Sequence, residues 1–243
     1  MADSTYIKPI ISTSLLEESD IPHVVNVIND AFMADAFFKH DQYKLRTNEG
    51  ELNDSLLKQH TDQLVHVIGR CVSSSSSSSS SNRDEIVASV ALTFEIQIIP
   101  ILLSGGKCEG NTYILNVNQC SDIEYIKNLL YSKKDEKFHG FDLIFSVQIF
   151  EVSVSSPFQG KGVGKQIVSS GEQLGKDILH KYSTILQKTL LQIQQSDLIF
   201  NVKYISKLEV LSAVRPELEP WYIKQGYSVI GQQEFSHKFI CLP

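Results

Sequence analysis

The stretch FQGKGVGKQI, Phe158 to Ile167, sets three glycines and two lysines between an apolar stretch that alternates like a strand and one spaced like a helix. A strand that runs into a glycine turn and then a helix aims backbone N–H groups outward at the positive end of the helix dipole, which suits an anion. Glycine leaves the backbone open to close approach, and Lys161 and Lys165 would add charge-assisted contacts. On the glycines alone, two readings stand: a phosphate cradle, or a tight turn with no ligand.

Three phosphate-binding patterns fail on their diagnostic positions. The Walker loop needs G-x-x-x-x-G-K-[ST], but Gln159 stands at its first glycine and Gln166 at its hydroxyl. The dinucleotide fingerprint G-x-G-x-x-G meets Lys165 where its third glycine belongs. A protein-kinase glycine loop fails on the same spacing, and the chain has no HRD or DFG triplet.

Outward from the turn, FDLIFSVQIFEVSV (141–154) carries the strongest strand signal and GKQIVSSGEQLGKDILHKY (164–182) reads as a helix, with Ile167, Val168, Leu174, Ile178 and Leu179 inward. Toward the N-terminus a strand is expected over Thr5–Thr13. A helix follows within 17–32, with Asp20 as its cap and Pro22 in its first turn. A thin second helix (51–60) and strands at 63–72 and 85–99 come next. Nine serines, Ser73 to Ser81, separate those two strands; such a tract has too little apolar surface to order itself, so 73–82 reads as a disordered loop. Residues 104–141 read as an insertion holding a short strand and a short helix. Beyond the turn, a strand is expected at 205–214, a short helix at 219–226 with Gly226 as its left-handed cap, and one final strand over 227–240. The order β α α β β β α β α β predicts a mixed α/β layer structure in one domain spanning 1–243.

Gln159-Gly160-Lys161-Gly162-Val163-Gly164 fits the pattern Q/R-x-x-G-x-G after an apolar strand and before an amphipathic helix. It resembles motif A of the GCN5-related N-acetyltransferases. Three further segments agree in order: the opening ESDIPHVVNVINDAF, the strand LEVLSAV, and WYIKQGY, which is similar to the family's Y-x-x-x-G-F/Y element with Tyr222, Gly226 and Tyr227 in place. The resemblance covers nearly the whole chain and is interrupted by the serine tract, by 104–141 and by an extension near 180–204.

The resemblance implies an α/β acyl-CoA N-acyltransferase fold, a mixed central sheet flanked by helices with loop insertions, and transfer of an acetyl group from acetyl-CoA to a primary amine by direct attack. Backbone groups of Val152 and Val154 would run along the pantetheine arm, and the amides of Gln159, Gly160, Lys161, Gly162, Val163, Gly164 and Lys165 would hold the pyrophosphate. Tyr222 matches the tyrosine that protonates the departing thiolate. Glu151 is the only carboxylate between Ile144 and Val154; by alternation it points away from Val152 and Val154, as a candidate base. Gln148, at another position where relatives carry glutamate, cannot be one. Arg215 departs from the family pattern, in which an asparagine often contacts the cofactor; it is a candidate for a CoA phosphate or carbonyl, for an acidic group on the substrate, or for a surface ion pair with Glu217 or Glu219. Trp221 walls the acceptor site or packs the core.

Composition limits the alternatives. The formal net charge of −6 leaves no global basic field for nucleic acid or an anionic membrane, and mildly favours a cationic acceptor. The longest apolar run, Ile96–Leu103, falls short of the ~18 residues of a membrane span. Cys71, Cys108, Cys120 and Cys241 show no CxxC and read as free thiols in a cytoplasmic or nuclear protein, with a Cys108–Cys120 pair as the alternative. The seven histidines show no metal-ligand spacing, so no metal is expected. A small-molecule amine is the favoured acceptor; a protein or peptide amine, and a non-catalytic acyl-CoA-binding module, stand as alternatives. A homodimer stays open.

Overall fold

Alternation along β2 (Leu64–Cys71) decides which helices cover which face of the sheet. Ile68 is fully buried in a cluster with Leu16, Ile21, Val24, Val27, Ile28 and Leu52, from helices α1 (Ile21–Met33) and α2 (Glu49–Gln59) and the chain before α1. A side chain at the next residue, Gly69, would meet Ile11, Ala88 and Ile167, the last from helix α5 (Val163–Gln194). One face of β2 therefore carries α1 and α2, and the other carries the start of α5. The computed structural model describes residues 9–33, 47–59, 64–72, 85–102, 111–113, 117–130, 138–194, 199–210, 218–229 and 236–241.

The remaining elements are β1 (Ile11–Leu15), β3 (Ile86–Leu102), β4 (Asn111–Tyr113), α3 (Val117–Ser121), α4 (Ile123–Leu130), β5 (Phe138–Val154), β6 (Ile199–Val210), α6 (Leu218–Lys224), β7 (Ser228–Val229) and β8 (Ser236–Cys241). The strands hydrogen-bond in the order β1-β2-β3-β5-β6-β8-β7, with β4 on β3. The sheet is mixed: β5 and β6 run parallel, whereas β1·β2, β3·β4, β6·β8 and β7·β8 are antiparallel. By contacts the chain divides into two compact units. The first holds Met1–Leu57, Val65–Ala91 and Phe150–Gly171; the second holds Lys58–Leu64, Leu92–Ile149 and Glu172–Pro243.

In the first unit, β1 pairs with β2 from Ile11↔Cys71 to Leu15↔Val67. Asp20 serves differently from the forward cap expected of it: its carboxylate reaches back to the Glu17 N–H at 3.3 Å and grips Arg70 at 2.5 Å. Asn48 and Glu51 close a reciprocal capping box at the start of α2, each side chain accepting the other's amide. The buried Asn29 then ties α1 to that start through both backbone groups of Thr47.

In the second unit, β5 and β6 keep parallel register from Gly140↔Ile199 to Ile149↔Leu208. α5 packs on β5 so closely that a Cβ at Gly175 would stand 2.8 Å from Val147 Cγ2.

Several expected boundaries move. β1 starts at Ile11 and runs past Thr13, while Thr5–Lys8 lie outside the described residues. The helix expected at 164–182 continues to Gln194, because Tyr182, Leu186 and Leu190 keep its apolar stripe fully buried. The expected extension near 180–204 is therefore the end of α5 and the start of β6. The single helix expected within 104–141 is two, α3 and α4, held to α5 by the Thr189 hydroxyl donating to the Cys120 carbonyl at 2.8 Å. The single last strand is an antiparallel pair, β7 and β8. The serine tract lies outside the described residues.

Candidate active site

The segment leading into the glycine turn is held by several hydrogen bonds. After β5, the Ser155 N–H donates to the Val87 carbonyl at 2.9 Å. Asp30 on α1 accepts both the Ser156 N–H at 2.6 Å and its hydroxyl at 3.1 Å. A 3₁₀ turn over Ser156–Phe158 follows, and Gln159 folds its side-chain amide back onto the Val154 carbonyl at 2.9 Å. Gly160 and Gly162 then take φ of 69° and 81°, a left-handed backbone costing any other L-residue about 1–2 kcal/mol. Val163 and Ile167, both fully buried, anchor the first turn of α5.

The amides at the start of α5 lie ahead of the helix's own ladder. The Gln166 N–H is the first to close onto an earlier carbonyl, that of Gly162 at 3.4 Å, so the amides of Val163, Gly164 and Lys165 precede the helix ladder. A Cβ built on Gly160 would meet nothing within 4 Å. Open space therefore lies before the turn, and the glycine answers to its φ, with no crowding behind it. Lys161 lies 5.8 Å from the Phe158 ring centroid, and Lys165 is exposed. Donors at a helix start, a bare backbone and two ammonium groups fit a pyrophosphate. Gln166, the misfit of the Walker pattern, instead works as a clamp: its Oε1 accepts the Ile11 N–H at 3.2 Å and its Nε2 donates to the Pro9 carbonyl at 2.9 Å.

Alternation fails at Glu151. Its φ of 51° puts a non-glycine residue in the left-handed region two residues past the last β5·β6 pair, so its direction does not follow from counting along the strand. Glu151 is half-buried, as are Val152 and Val154, while Ser153 between them is fully buried and its hydroxyl turns to the Glu151 carbonyl at 3.3 Å. The distortion falls just where β5 ends its pairing with β6, while β5 itself continues to Val154.

Tyr222 belongs to the second unit, on α6, and is 6% exposed. The segment WYIKQGY folds as a complete Schellman end. The Gly226 N–H donates to the Ile223 carbonyl at 2.9 Å, the Tyr227 N–H donates to the Tyr222 carbonyl at 3.2 Å, and Gly226 has φ of 94°. The apolar contact that accompanies this motif joins Tyr222 to Tyr227, with ring centroids 5.9 Å apart at 80°. Trp221, half-buried, meets Tyr222 edge-on at 4.7 Å. Burial pushes the Tyr222 phenol up to about 12, so at neutral pH it is a donor. The Tyr227 hydroxyl donates to a carboxylate oxygen of Glu172 on α5.

The fold thus gathers Glu151, Val152, Val154 and Gln159 through Lys165 in one unit and sets Tyr222 in the other. Arg215, with Pro216 and Glu217, lies outside the described residues. Sequence reasoning missed Asp30, Gln166 and Glu172; Gln166 acts on a segment 155 positions away, and no local pattern marks such a pair. Among the described residues no group of three or more His, Cys, Asp or Glu side chains could hold a metal, and no helix is long and apolar enough to cross a membrane. The first unit also has a hollow of about 520 Å³ bordering the turn at Ser155 and Pro157. It is lined by the carboxylates of Asp20, Asp30 and Glu85, with Arg70 already held by Asp20.

By sequence, no family model and no curated protein matches the chain. By structure it is similar to the PaiA N-acetyltransferase from Thermoplasma acidophilum, solved in complex with coenzyme A. The TM-score is 0.53 at 8% identity, over 96% of this chain and 99% of that one. It is also similar to the spermidine N-acetyltransferase from Vibrio cholerae, solved with CoA and spermine. Here the TM-score is 0.50 at 12% identity, over 95% of each chain. At such identities the likeness is one of fold, and it agrees with the mixed sheet flanked by helices described above. The chain has the fold of the GCN5-related N-acetyltransferases.

Proposed function

We propose that the protein transfers an acetyl group from acetyl-CoA to a primary amine of a small molecule. The observation that carries this reading is the turn at Gly160 and Gly162: left-handed glycines, amides ahead of the helix ladder and open space before them. Its backbone amides from Gly160 to Lys165 hold the pyrophosphate, while the Gln159 N–H is already donated to the Ser156 carbonyl at 3.3 Å; Lys161 and Lys165 add charge and Arg215 a further phosphate contact. Backbone groups of Val152 and Val154 run beside the pantetheine arm as an added strand would.

Acetyl-CoA supplies an electrophilic thioester carbonyl and a thiolate leaving group. Only an unprotonated amine attacks, so Glu151 takes the ammonium proton, directly or through a water, before the C–N bond forms. As the C–S bond breaks, Tyr222 gives its phenolic proton to the sulfur; a phenol held well above neutral pH is present in the donor form throughout the working range. A small cationic amine is supported by the net charge and by the acidic lining of the hollow beside the turn.

The test is release of free thiol from acetyl-CoA with a panel of polyamines, arylamines, amino acids and lysine peptides, alongside CoA titration. Turnover on a small amine, lowered roughly 10²-fold in Tyr222→Phe with CoA affinity retained, is the expected result. Faster turnover on peptides reassigns the acceptor. Tight CoA binding with no turnover on any amine leaves a non-catalytic acyl-CoA module and removes the enzyme.

A further inference from the structure

The geometry points to Glu172 and Tyr227 as a positioning pair that sets the Tyr222 hydroxyl for proton transfer, an inference that rests on the acetyltransferase reading above. Tyr227 is joined to Tyr222 twice, by its backbone N–H on the Tyr222 carbonyl at 3.2 Å and by its ring standing edge-on at 5.9 Å. The ring of Tyr227 is 3% exposed, so it has one well-packed orientation. Its hydroxyl is held in turn by the Glu172 carboxylate from α5, 55 positions earlier in the chain. A hydrogen bond to an ionised carboxylate is about twice as strong as a neutral one.

The α6 end alone does not need this arrangement. A Schellman turn asks for glycine at 226 and an apolar group at 227, and at 227 phenylalanine would serve as well as tyrosine. The hydroxyl of Tyr227 and the carboxylate of Glu172 add nothing to the turn's backbone bonds. What they fix is the rotation and lateral position of the ring against which Tyr222 rests. Proton transfer to a departing sulfur depends steeply on donor placement, and a displacement near 1 Å costs on the order of a hundred-fold in rate. A brace on the donor's neighbour therefore acts on turnover and leaves cosubstrate binding alone.

The experiment combines steady-state kinetics on the full chain with aromatic NMR of ¹³C-tyrosine-labelled protein, using Glu172→Ala, Glu172→Gln and Tyr227→Phe. The expected result is a loss of kcat of roughly ten-fold in Glu172→Ala and Tyr227→Phe, with the KM for acetyl-CoA within two-fold of the parent. Glu172→Gln, which still accepts the phenol, recovers most of the rate. In a Tyr222→Phe background neither substitution lowers kcat further. The Tyr222 ring signals shift or sharpen in Tyr227→Phe while the protein keeps a single cooperative melting transition. Parent-like kcat in both Glu172→Ala and Tyr227→Phe overturns the inference, and so does a Tyr222 signal that does not respond to Tyr227→Phe. The NMR arm decides the positioning without any turnover, so an inactive parent chain with a responsive Tyr222 signal refutes the enzyme reading and keeps the brace.

Discussion

Replacing Gly160 by alanine separates the two demands made on the glycine turn. The backbone there has φ of 69°, and a β-carbon would find open space with nothing inside 4 Å. Steric clash contributes nothing to the cost, which is purely conformational: about 1–2 kcal/mol for an L-residue in the left-handed region. The smaller conformational entropy of the alanine-containing unfolded chain favours folding by roughly 0.4–1 kcal/mol and so partly offsets that cost. The net loss of stability is about 1 kcal/mol, a fall in Tm of roughly 2–4 °C for a chain of this size. The effect on CoA is expected to be larger. The methyl would stand where a phosphate oxygen approaches the backbone, and losing or lengthening one charged hydrogen bond costs about 1.5–3 kcal/mol, roughly ten- to a hundred-fold in Kd. Thermal melts with and without CoA, together with calorimetric titration, measure both quantities on the same protein. Unchanged CoA affinity beside the small drop in Tm would refute the turn as the pyrophosphate cradle.

Gly175→Ala is the contrasting case, since its Cβ would press on Val147 at 2.8, 3.1 and 3.2 Å. Overpacking of about 1–3 kcal/mol against a helix-propensity gain near 1 kcal/mol leaves the variant less stable by urea unfolding, with CoA affinity unaltered; a more stable variant would contradict the packing argument. Gln166→Leu removes the clamp on Ile11 N–H and Pro9 C=O. Faster hydrogen exchange is expected at Ile11 and its neighbours in β1, with the far end of α5 unaffected; equal exchange throughout would show that the clamp holds nothing. His66, 2% exposed, has its pKa pushed by burial from 6.5 down to about 4. The unfolded chain binds the extra proton between those values, so stability present above pH 6.5 is lost as the pH falls through 4, by about 2–3 kcal/mol at pH 4.5. Denaturant titrations of the parent and of His66→Leu at pH 7 and 4.5 check this, and an equal fall in both proteins would remove His66 as the cause.

The local backbone signals were legible in part: Gly226 reads as a left-handed cap and has φ of 94°, whereas Gly160 and Gly162 read only as open backbone and prove left-handed as well, with φ of 69° and 81°. The amphipathic stripe of α5 was visible through Leu179, because side chains three and four apart share a face whatever lies beyond them. The direction of Glu151 was not legible. Alternation assumes an unbroken pleat, and the reversal of φ at that residue comes just past the end of pairing with β6, which no window of sequence reports.

The sequence by itself determined the order of strand, glycine turn and helix, the left-handed cap at Gly226, and the type of most elements, all of which depend on backbone preferences within a few residues. Tertiary structure alone decided how far α5 runs, that the last strand is a pair, and which side chains brace the turn and the tyrosine. Gln166 reaches β1, Asp30 reaches Ser156, and Glu172 reaches Tyr227 across 155, 126 and 55 positions. Contacts of that span carry no period and no spacing. They exist only once the packed sheet has brought their backbones within hydrogen-bond reach.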